Sequence, residues 1–305
     1  MEKVIFDLDP GVDDSMALIL GLNHPEIQIK LITTTFGNVG IEQTTKNACY
    51  IAENFGGKDV KVYSGFEHGI KASNINASHV HGKTGLGAKI VAVDVNKKAS
   101  NKEGYGAIEA MRDMVLENPG EINIVSVGPA TNVAKLILKY PEVVNKIKRI
   151  VLMVGTLDGK GSITPYSSFN AYCDPEAVDV VIKQNIPITI SPTQMGITSF
   201  FDEKQRTRFK ECGKVGEFIY DLCEGYKDSL LKVGQYALHD TCALFSILDT
   251  DIFTREKVDM KINISKDEKR GQTLFSNNQK SHISLLVKSN KKKLFKLIEN
   301  ILKSI

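Results

Sequence analysis

The chain has 305 residues, of which 42% are apolar, so it can bury a large core and is neither a disordered chain nor a disulfide-stabilised miniprotein. Its 39 basic and 36 acidic side chains leave a net charge of +3, which argues against a nucleic-acid partner or an acidic membrane surface. The five cysteines form no C-x-x-C pair, and no apolar run reaches the length of a membrane span. We therefore expect a cytoplasmic protein with free thiols, no signal peptide and no membrane partner.

The first two-thirds of the chain alternate predicted strands with predicted helices. Apolar runs, several of them rich in β-branched residues, predict strands at 4–6, 29–35, 123–127, 149–154 and 187–191. Apolar residues at helical spacing predict helices over 41–55, 103–117, 130–139 and 175–184. Asp174 and Pro175 suit the N-cap and first position of the last helix. This alternation is typical of an open, mostly parallel sheet flanked by helices.

The last third of the chain has a different character. Residues 202–248 are predicted to be a mainly helical insertion, and 258–288 contain two or three short strand candidates. An apolar stripe predicts a final helix over 291–305. No linker or repeat interrupts the chain, so residues 1–305 are predicted to form a single domain. Ligands bind beyond the carboxyl ends of parallel strands, so polar residues that follow the strands are candidates for a site.

Four carboxylates follow the first predicted strand, in Asp7-Leu8-Asp9-Pro10-Gly11-Val12-Asp13-Asp14. A turn at Pro10-Gly11 would fold Asp9 back towards Asp13 and Asp14, where their repulsion is costly unless a cation neutralises it. Hard oxygen ligands prefer Ca²⁺ or Mg²⁺ to Zn²⁺. Capping of the next helix needs one acid rather than four. An EF-hand is excluded because Leu18 stands where the bidentate Glu is required.

Two enzyme classes share parts of this acidic pattern. Asp7-Leu8-Asp9 resembles the D-x-D start of haloacid-dehalogenase-type phosphatases, in which one Asp is the nucleophile. Gly11 stands where those enzymes have Thr or Val, and no later G-D-x-x-x-D element follows. The complete D-x-D-P-G-x-D-D run instead resembles the signature of the inosine-uridine-preferring nucleoside hydrolases.

Five further segments resemble that family and occur in its order. They are Phe36-Gly37-Asn38, His81-Gly82-x-x-Gly85-Leu86-Gly87, Val127-Gly128-Pro129-x-Thr131-Asn132, Phe169-Asn170-x-x-x-Asp174-Pro175-Glu176-Ala177 and His239-Asp240. Six motifs in order are far more specific than one. The resemblance implies the nucleoside hydrolase fold and hydrolysis of a ribonucleoside to free base and ribose, as a step of nucleoside salvage. It also implies a homodimer or homotetramer.

The resemblance assigns roles to particular residues. It implies that Ca²⁺ is held by Asp9, Asp14, Asp240 and the main-chain carbonyl of Val127, with Asp9 also the general base. Asp7 is expected to orient this cluster rather than to bind the ion.

The substrate contacts follow from the same resemblance. Asp13 and Asn170 are expected to hold ribose hydroxyls, and His239 is the candidate proton donor to the leaving base. The base pocket is expected to include Asn38 and His81. Tyr226 and Tyr236 are candidates for stacking on the base, although either could be a packed aromatic.

Two positions depart from the family pattern. Ser168 stands where the family usually has Glu, and Ser162 where it often has Asn, and both positions contact the ribose 5′-hydroxyl there. The change suggests either weak activity on ordinary nucleosides or a pocket for a larger or charged 5′ group, such as a phosphate facing Lys160. A bulky or modified base is a related alternative. The third alternative, beside hydrolase and phosphatase, is a ribose-binding protein that has lost catalysis.

Overall fold

The computed structural model describes residues 1–56, 60–71, 75–87, 89, 91, 93, 99–224, 226, 228, 230–248 and 250–305. The strands are β1 (Glu2–Leu8), β2 (Ile27–Thr34), β3 (Lys61–Ser64), β4 (Ile122–Ser126), β5 (Ile147–Leu152), β6 (Ile188–Ile190), β7 (Phe201–Asp202), β8 (Gln235–Tyr236), β9 (Phe253–Ile262), β10 (Thr273–Asn277) and β11 (Ile283–Ser289). The α-helices are α1 (Val12–Leu22), α2 (Ile41–Phe55), α3 (Ser78–His81), α4 (Ala107–Glu117), α5 (Thr131–Lys139), α6 (Phe169–Cys173), α7 (Pro175–Ile182), α8 (Thr193–Thr198), α9 (Glu203–Phe209), α10 (Gly213–Leu222), α11 (His239–Phe245) and α12 (Lys291–Lys303).

A nine-stranded sheet forms the centre of the fold, in the order β10-β9-β11-β6-β5-β4-β1-β2-β3. The pairs from β3 across to β11 are parallel, whereas β9 pairs antiparallel with both β11 and β10. The prediction of an open, mostly parallel sheet with flanking helices is confirmed. Strand order reverses at β1, which lies between β2 and β4, and ligands bind at such switch points.

Helices cover both faces of this sheet. Val4, Phe6 and Leu8 of β1 point into one core, which also contains apolar residues of α1, α2, α11 and α12. Ile5 points into the other core, with residues of α4, α5 and α7. A strand covered on both faces has no polar side in its middle, which explains why β1 is almost continuously apolar until its acidic end.

The helical insertion predicted at 202–248 is also observed, with one addition. It contains α9, α10 and α11, and a two-residue antiparallel pairing joins β7 to β8. Strands this short leave no periodic signal in the sequence. The helix predicted from residue 103 begins at Ala107, because Glu109 accepts a hydrogen bond from the Gly106 backbone N–H and caps the first turn. Within the described ranges, no helix is long and apolar enough to cross a bilayer.

Candidate active site

Asp7 lies near the end of β1 and is fully buried. Its carboxylate accepts hydrogen bonds from Thr33 Oγ1 at 2.7 Å, Ser126 Oγ at 2.9 Å and Asn132 Nδ2 at 2.7 Å. Burial raises the pKa of Asp7 to about 6, although the three hydrogen bonds oppose the shift. The donors belong to β2, β4 and α5, so Asp7 ties together the elements that surround the strand-order reversal.

The turn after β1 is closed by the side chain of Asp14. Oδ1 of Asp14 accepts from the Asp9 backbone N–H at 3.2 Å, and Oδ2 accepts from the Gly11 N–H at 3.0 Å. The turn at Pro10-Gly11 therefore folds back as predicted. Burial and the charge of Asp14 raise the pKa of Asp9 well above its ordinary value.

Asn38, in the turn after β2, contacts the same two acids. Its backbone N–H donates to Asp9 Oδ2 at 2.7 Å, and its Nδ2 donates to Asp14 Oδ2 at 2.9 Å. Gly37 and Gly128 leave room for Asp9, since a Cβ on them would lie 2.0 Å from Oδ2 and 2.5 Å from Oδ1 respectively. These two glycines of the sequence motifs are thus required by the close approach of the backbone to a buried carboxylate.

Three buried carboxylates converge although they are distant in sequence. Oxygens of Asp13, Asp14 and Asp240 lie within 4.8 Å of one another, because α11 begins beside the start of α1. Burial and the charges of the neighbouring acids raise the pKa of Asp240 well above its ordinary value. Burial and the charge of Asp13 raise the pKa of Asp14 to about 7. Among the described residues, Oδ1 of Asp13 and Oδ1 of Asp9 are buried and find no hydrogen-bond partner.

This donor set suits a hard divalent cation. The cluster consists of carboxylate oxygens, two nearby oxygens lack partners, and a cation would offset the repulsion that raises the pKa values. The structure groups Asp13 with Asp14 and Asp240, whereas Asp9 joins them through its hydrogen bond to Asp14 and does not line the cavity described below. The predicted set with Asp9 and the Val127 carbonyl remains a prediction.

Asn170, at the start of α6, ties the ends of β4 and β5 together. Its Nδ2 donates to the Val127 carbonyl and, at 3.1 Å, to the Met153 carbonyl. Further along the same motif, Asp174 caps α7 by accepting from the Ala177 N–H at 3.1 Å, as predicted. Asp174 also accepts from Thr131 Oγ1 at 2.6 Å. The motif therefore contributes to the site through Asn170 and connects α5 with α7 through Asp174.

His239 is paired with Asp228, a residue that sequence reasoning missed. Nε2 of His239 lies 2.9 Å from Asp228 Oδ2, and both side chains are about nine-tenths buried. Burial lowers the pKa of His239, but the hydrogen bond and the charge of Asp228 outweigh burial and raise it overall. Asp228 lies within a segment without a motif, so no pattern in the sequence could have paired it with His239.

His81, in the short helix α3, faces the start of α1. Its Nδ1 accepts from the Val12 N–H at 3.1 Å, which fixes the tautomer that carries a proton on Nε2. Burial lowers the pKa of His81, so the ring is neutral near pH 7. The ring of Tyr226 packs against it with centroids 5.5 Å apart.

A cavity that is open to solvent joins these groups. Its lining includes the predicted substrate and base contacts, namely Asp13, Asn38, His81, Ser168, Asn170, Tyr226 and His239. Ser162 also lines it, but Lys160 is exposed and lies outside the lining. Tyr236 does not line the cavity either. It packs behind Tyr226, with ring centroids 6.3 Å apart.

Comparison with known proteins agrees with this geometry. Residues 4–300 match the model of the inosine-uridine preferring nucleoside hydrolase family. The chain belongs to this family. As a nucleoside hydrolase it is an enzyme, an N-glycosidase that acts on ribonucleosides. The phosphatase interpretation is therefore wrong, and Asp7, whose carboxylate is buried under three hydrogen bonds, is not placed to attack a substrate.

Individual relatives of this nucleoside hydrolase cover most of the chain. Uridine nucleosidase 1 of Arabidopsis thaliana is 35% identical over 261 residues, which are 84% of this chain and 76% of that protein. The pyrimidine-specific ribonucleoside hydrolase RihA of Citrobacter koseri is 32% identical over 256 residues, 82% of this chain and 80% of that protein.

Solved structures of nucleoside hydrolases share the whole fold. The plant nucleoside hydrolase PpNRh1 superposes with a TM-score of 0.91 at 26% identity, over 100% of this chain and 99% of that chain. A purine-preferring ribonucleoside hydrolase from Gardnerella vaginalis gives 0.89 at 27% identity, over 100% of both chains.

Proposed function

We propose that this N-glycosidase uses a bound Ca²⁺ to release free base and ribose from a ribonucleoside. The observation that supports a cation is the buried cluster of Asp13, Asp14 and Asp240 on the wall of the cavity. When bound, such an ion supplies Lewis acidity that activates water and anchors the vicinal ribose hydroxyls. Calcium suits the cluster because it accepts irregular carboxylate coordination.

The general base proposed for water attack is Asp9. Its Oδ1 has no hydrogen-bond partner, while Oδ2 is held by the Asn38 N–H. Burial and the charge of Asp14 raise the pKa of Asp9, and a nearby cation would favour its ionised form, which takes a proton as the water oxygen attacks C1′. Asp13, whose Oδ1 is also unpartnered, accepts a hydrogen bond from a ribose hydroxyl, and Asn170 holds the sugar from the other strand end.

The proton donor to the leaving base is His239 in this proposal. As the C1′–N bond breaks, its electron pair stays on the base nitrogen, which needs a proton. Asp228 favours the charged imidazolium and fixes the ring on the cavity wall. His81, neutral with a proton on Nε2, and Tyr226 lie beside His239 and complete the pocket for the base.

A panel of nucleosides tests the proposal. The similar proteins include one named for uridine, one for pyrimidines and one for purines, so the panel contains uridine, cytidine, adenosine, inosine and guanosine. We expect stoichiometric ribose and free base from at least one of them with Ca²⁺ present. Absence of ribose from every member, at enzyme concentrations that turn over slow substrates, would contradict the proposal.

The proposal extends to the cellular role and the assembly of the enzyme. Nucleoside salvage in the cytoplasm suits an enzyme that returns free bases, and none of the five buried cysteines forms a disulfide, as expected of a reducing compartment. We also propose a homodimer or homotetramer. Sedimentation velocity at micromolar concentration tests the assembly directly.

A further inference from the structure

The lining of the cavity contains a connected polar group and an apolar group. One is a chain of contacts that runs from Asp13 to His239. Oδ1 of Asp13 lies 3.8 Å from Nδ1 of His81, and the rings of His81 and Tyr226 have centroids 5.5 Å apart. The Tyr226 hydroxyl lies 3.4 Å from Oδ2 of Asp228, which lies 2.9 Å from Nε2 of His239. The other, the apolar wall, consists of Met153, Ile163 and Phe169 and adjoins Asn170.

The two groups suit different parts of a bound nucleoside. On the proposed function, the ribose diol lies at the acidic cluster and the base lies beside His239, where it can receive a proton. The 5′ carbon is the remaining substituent of the sugar. Ala77, His79 and Val80 also line the cavity but adjoin His81 on the side of the base, so the 5′ carbon is assigned to the apolar wall, which adjoins Asn170.

The apolar wall has little capacity to bind a 5′-hydroxyl. Ser168 Oγ already accepts from the Gly155 N–H at 2.8 Å, and Ser162 Oγ accepts from the Phe169 N–H at 3.1 Å. Nδ2 of Asn170 donates to two carbonyls. Each serine keeps its own O–H as a donor, so a 5′-hydroxyl here exchanges water for at most these two serine partners, whereas an apolar group gains contact with three apolar side chains.

The same wall has no charge to match a phosphate. Among the described residues that line the cavity, none is Lys or Arg, and Lys160 is exposed and outside the lining. The carboxylates of Asp13, Asp14 and Asp240 add negative charge to the same cavity. A 5′-phosphate would be desolvated without a counter-ion, which is strongly unfavourable.

We propose that the preferred substrates are ribonucleosides with an uncharged apolar 5′ end, such as 5′-deoxy or 5′-alkylthio nucleosides, received by Met153, Ile163 and Phe169. This inference rests on the proposed function and adds the substrate class. A site built to hydrogen-bond a hydroxyl discriminates against the analogue without that hydroxyl by roughly 10⁴-fold in kcat/KM. The proposal predicts no such preference for the 5′-hydroxyl form, so the two kinds of site differ by a large and measurable factor.

The test compares four sugars on the base that is released fastest. They are the 5′-hydroxyl, 5′-deoxy, 5′-methylthio and 5′-monophosphate forms, and kcat/KM is measured by base release. We expect the 5′-deoxy and 5′-methylthio forms to equal or exceed the 5′-hydroxyl form, and the monophosphate to fall about 100-fold below it. A 5′-hydroxyl form about tenfold or more better than the 5′-deoxy form, or a monophosphate equal to it, overturns the inference alone. Failure of all four forms overturns the proposed function as well.

A pair of lysine substitutions adds a test of the contact itself. Ile163 is half-buried at the cavity, so Ile163→Lys places a cation there without disturbing the core. We expect it to lower kcat/KM for the 5′-methylthio form and to raise it for the monophosphate, each about tenfold. Leu138→Lys, on the exposed side of α5, adds the same charge elsewhere and should change neither. An unchanged ratio in Ile163→Lys would show that the 5′ group lies elsewhere. Phe169→Ala, which should lower the 5′-methylthio rate more than the 5′-hydroxyl rate, covers the case in which Ile163→Lys does not fold.

Discussion

Nε2 of His239 lies 2.9 Å from Oδ2 of Asp228, and the pair forms one wall of the cavity. Asp228 also accepts from the Leu230 N–H at 2.8 Å, so its own position is fixed. The ring is thereby held in one orientation, and the carboxylate raises the pKa of His239 and so favours the charged form, which can donate a proton.

Replacement of Asp228 by Asn should therefore impair catalysis more than binding. Without the carboxylate the pKa of His239 falls, and the imidazolium needed for proton donation is lost at lower pH. We expect kcat to fall about 10- to 100-fold with little change in KM. The descending alkaline limb of the kcat profile should also move to lower pH. An unchanged profile would show that His239 is not the proton donor.

The general base is tested by Asp9→Asn. Asn keeps a carbonyl oxygen that can accept from the Asn38 N–H, so the turn should remain folded. We expect kcat to fall by roughly 10²–10⁴ while binding of a ribose analogue is retained, as measured by calorimetry. His68→Gln, at an exposed position, serves as the control. Turnover that survives in Asp9→Asn would contradict the assignment.

For Asp7 we expect a substitution to lower stability rather than turnover. Asp7→Asn replaces an acceptor of three hydrogen bonds by a group with its own donors, which leaves a buried donor facing Asn132 or a neighbouring hydroxyl. We expect a loss of about 1–3 kcal/mol in the free energy of unfolding, measured by urea denaturation. The variant that remains folded should keep most of its kcat. Complete loss of activity in a folded variant would indicate a direct chemical role for Asp7.

The acidic cluster predicts how stability depends on pH and cation. In the cation-free protein the pKa of Asp14 is raised to about 7 from an ordinary value of 3.8. A raised acid pKa means that the folded state holds more protons, so the contribution of Asp14 to stability falls as pH rises from about 4 to 7. Bound Ca²⁺ removes this penalty by competing with those protons. The difference in Tm with and without Ca²⁺ should therefore widen between pH 5 and pH 8. A difference independent of pH would contradict a cation at these carboxylates.

Much of the fold was predictable because its signals are local. The parallel strands carry continuous apolar runs, and the acidic end of β1 marks the point where the strand leaves the core. Two-residue strands such as β7 and β8 were missed because only their pairing across the insertion defines them.

The candidate site was predictable where a motif carries it. The acids after β1, Asn38 and His239-Asp240 were found in this way, and the structure brings them together. Asp228 was missed because its role depends on which loop packs against α11, and no spacing along the chain encodes that contact. Likewise, only the structure shows Tyr226 at the cavity and Tyr236 behind it.

The most direct test of the account is turnover of the best nucleoside by chelator-treated enzyme during titration with Ca²⁺. We expect no ribose release from the cation-free enzyme and full activity when one Ca²⁺ is bound per chain. The same titration on Asp240→Asn should show weaker Ca²⁺ binding and a matching loss of turnover. Full activity in the presence of chelator, or Ca²⁺ binding that Asp240→Asn leaves unchanged, would contradict the proposed cation site.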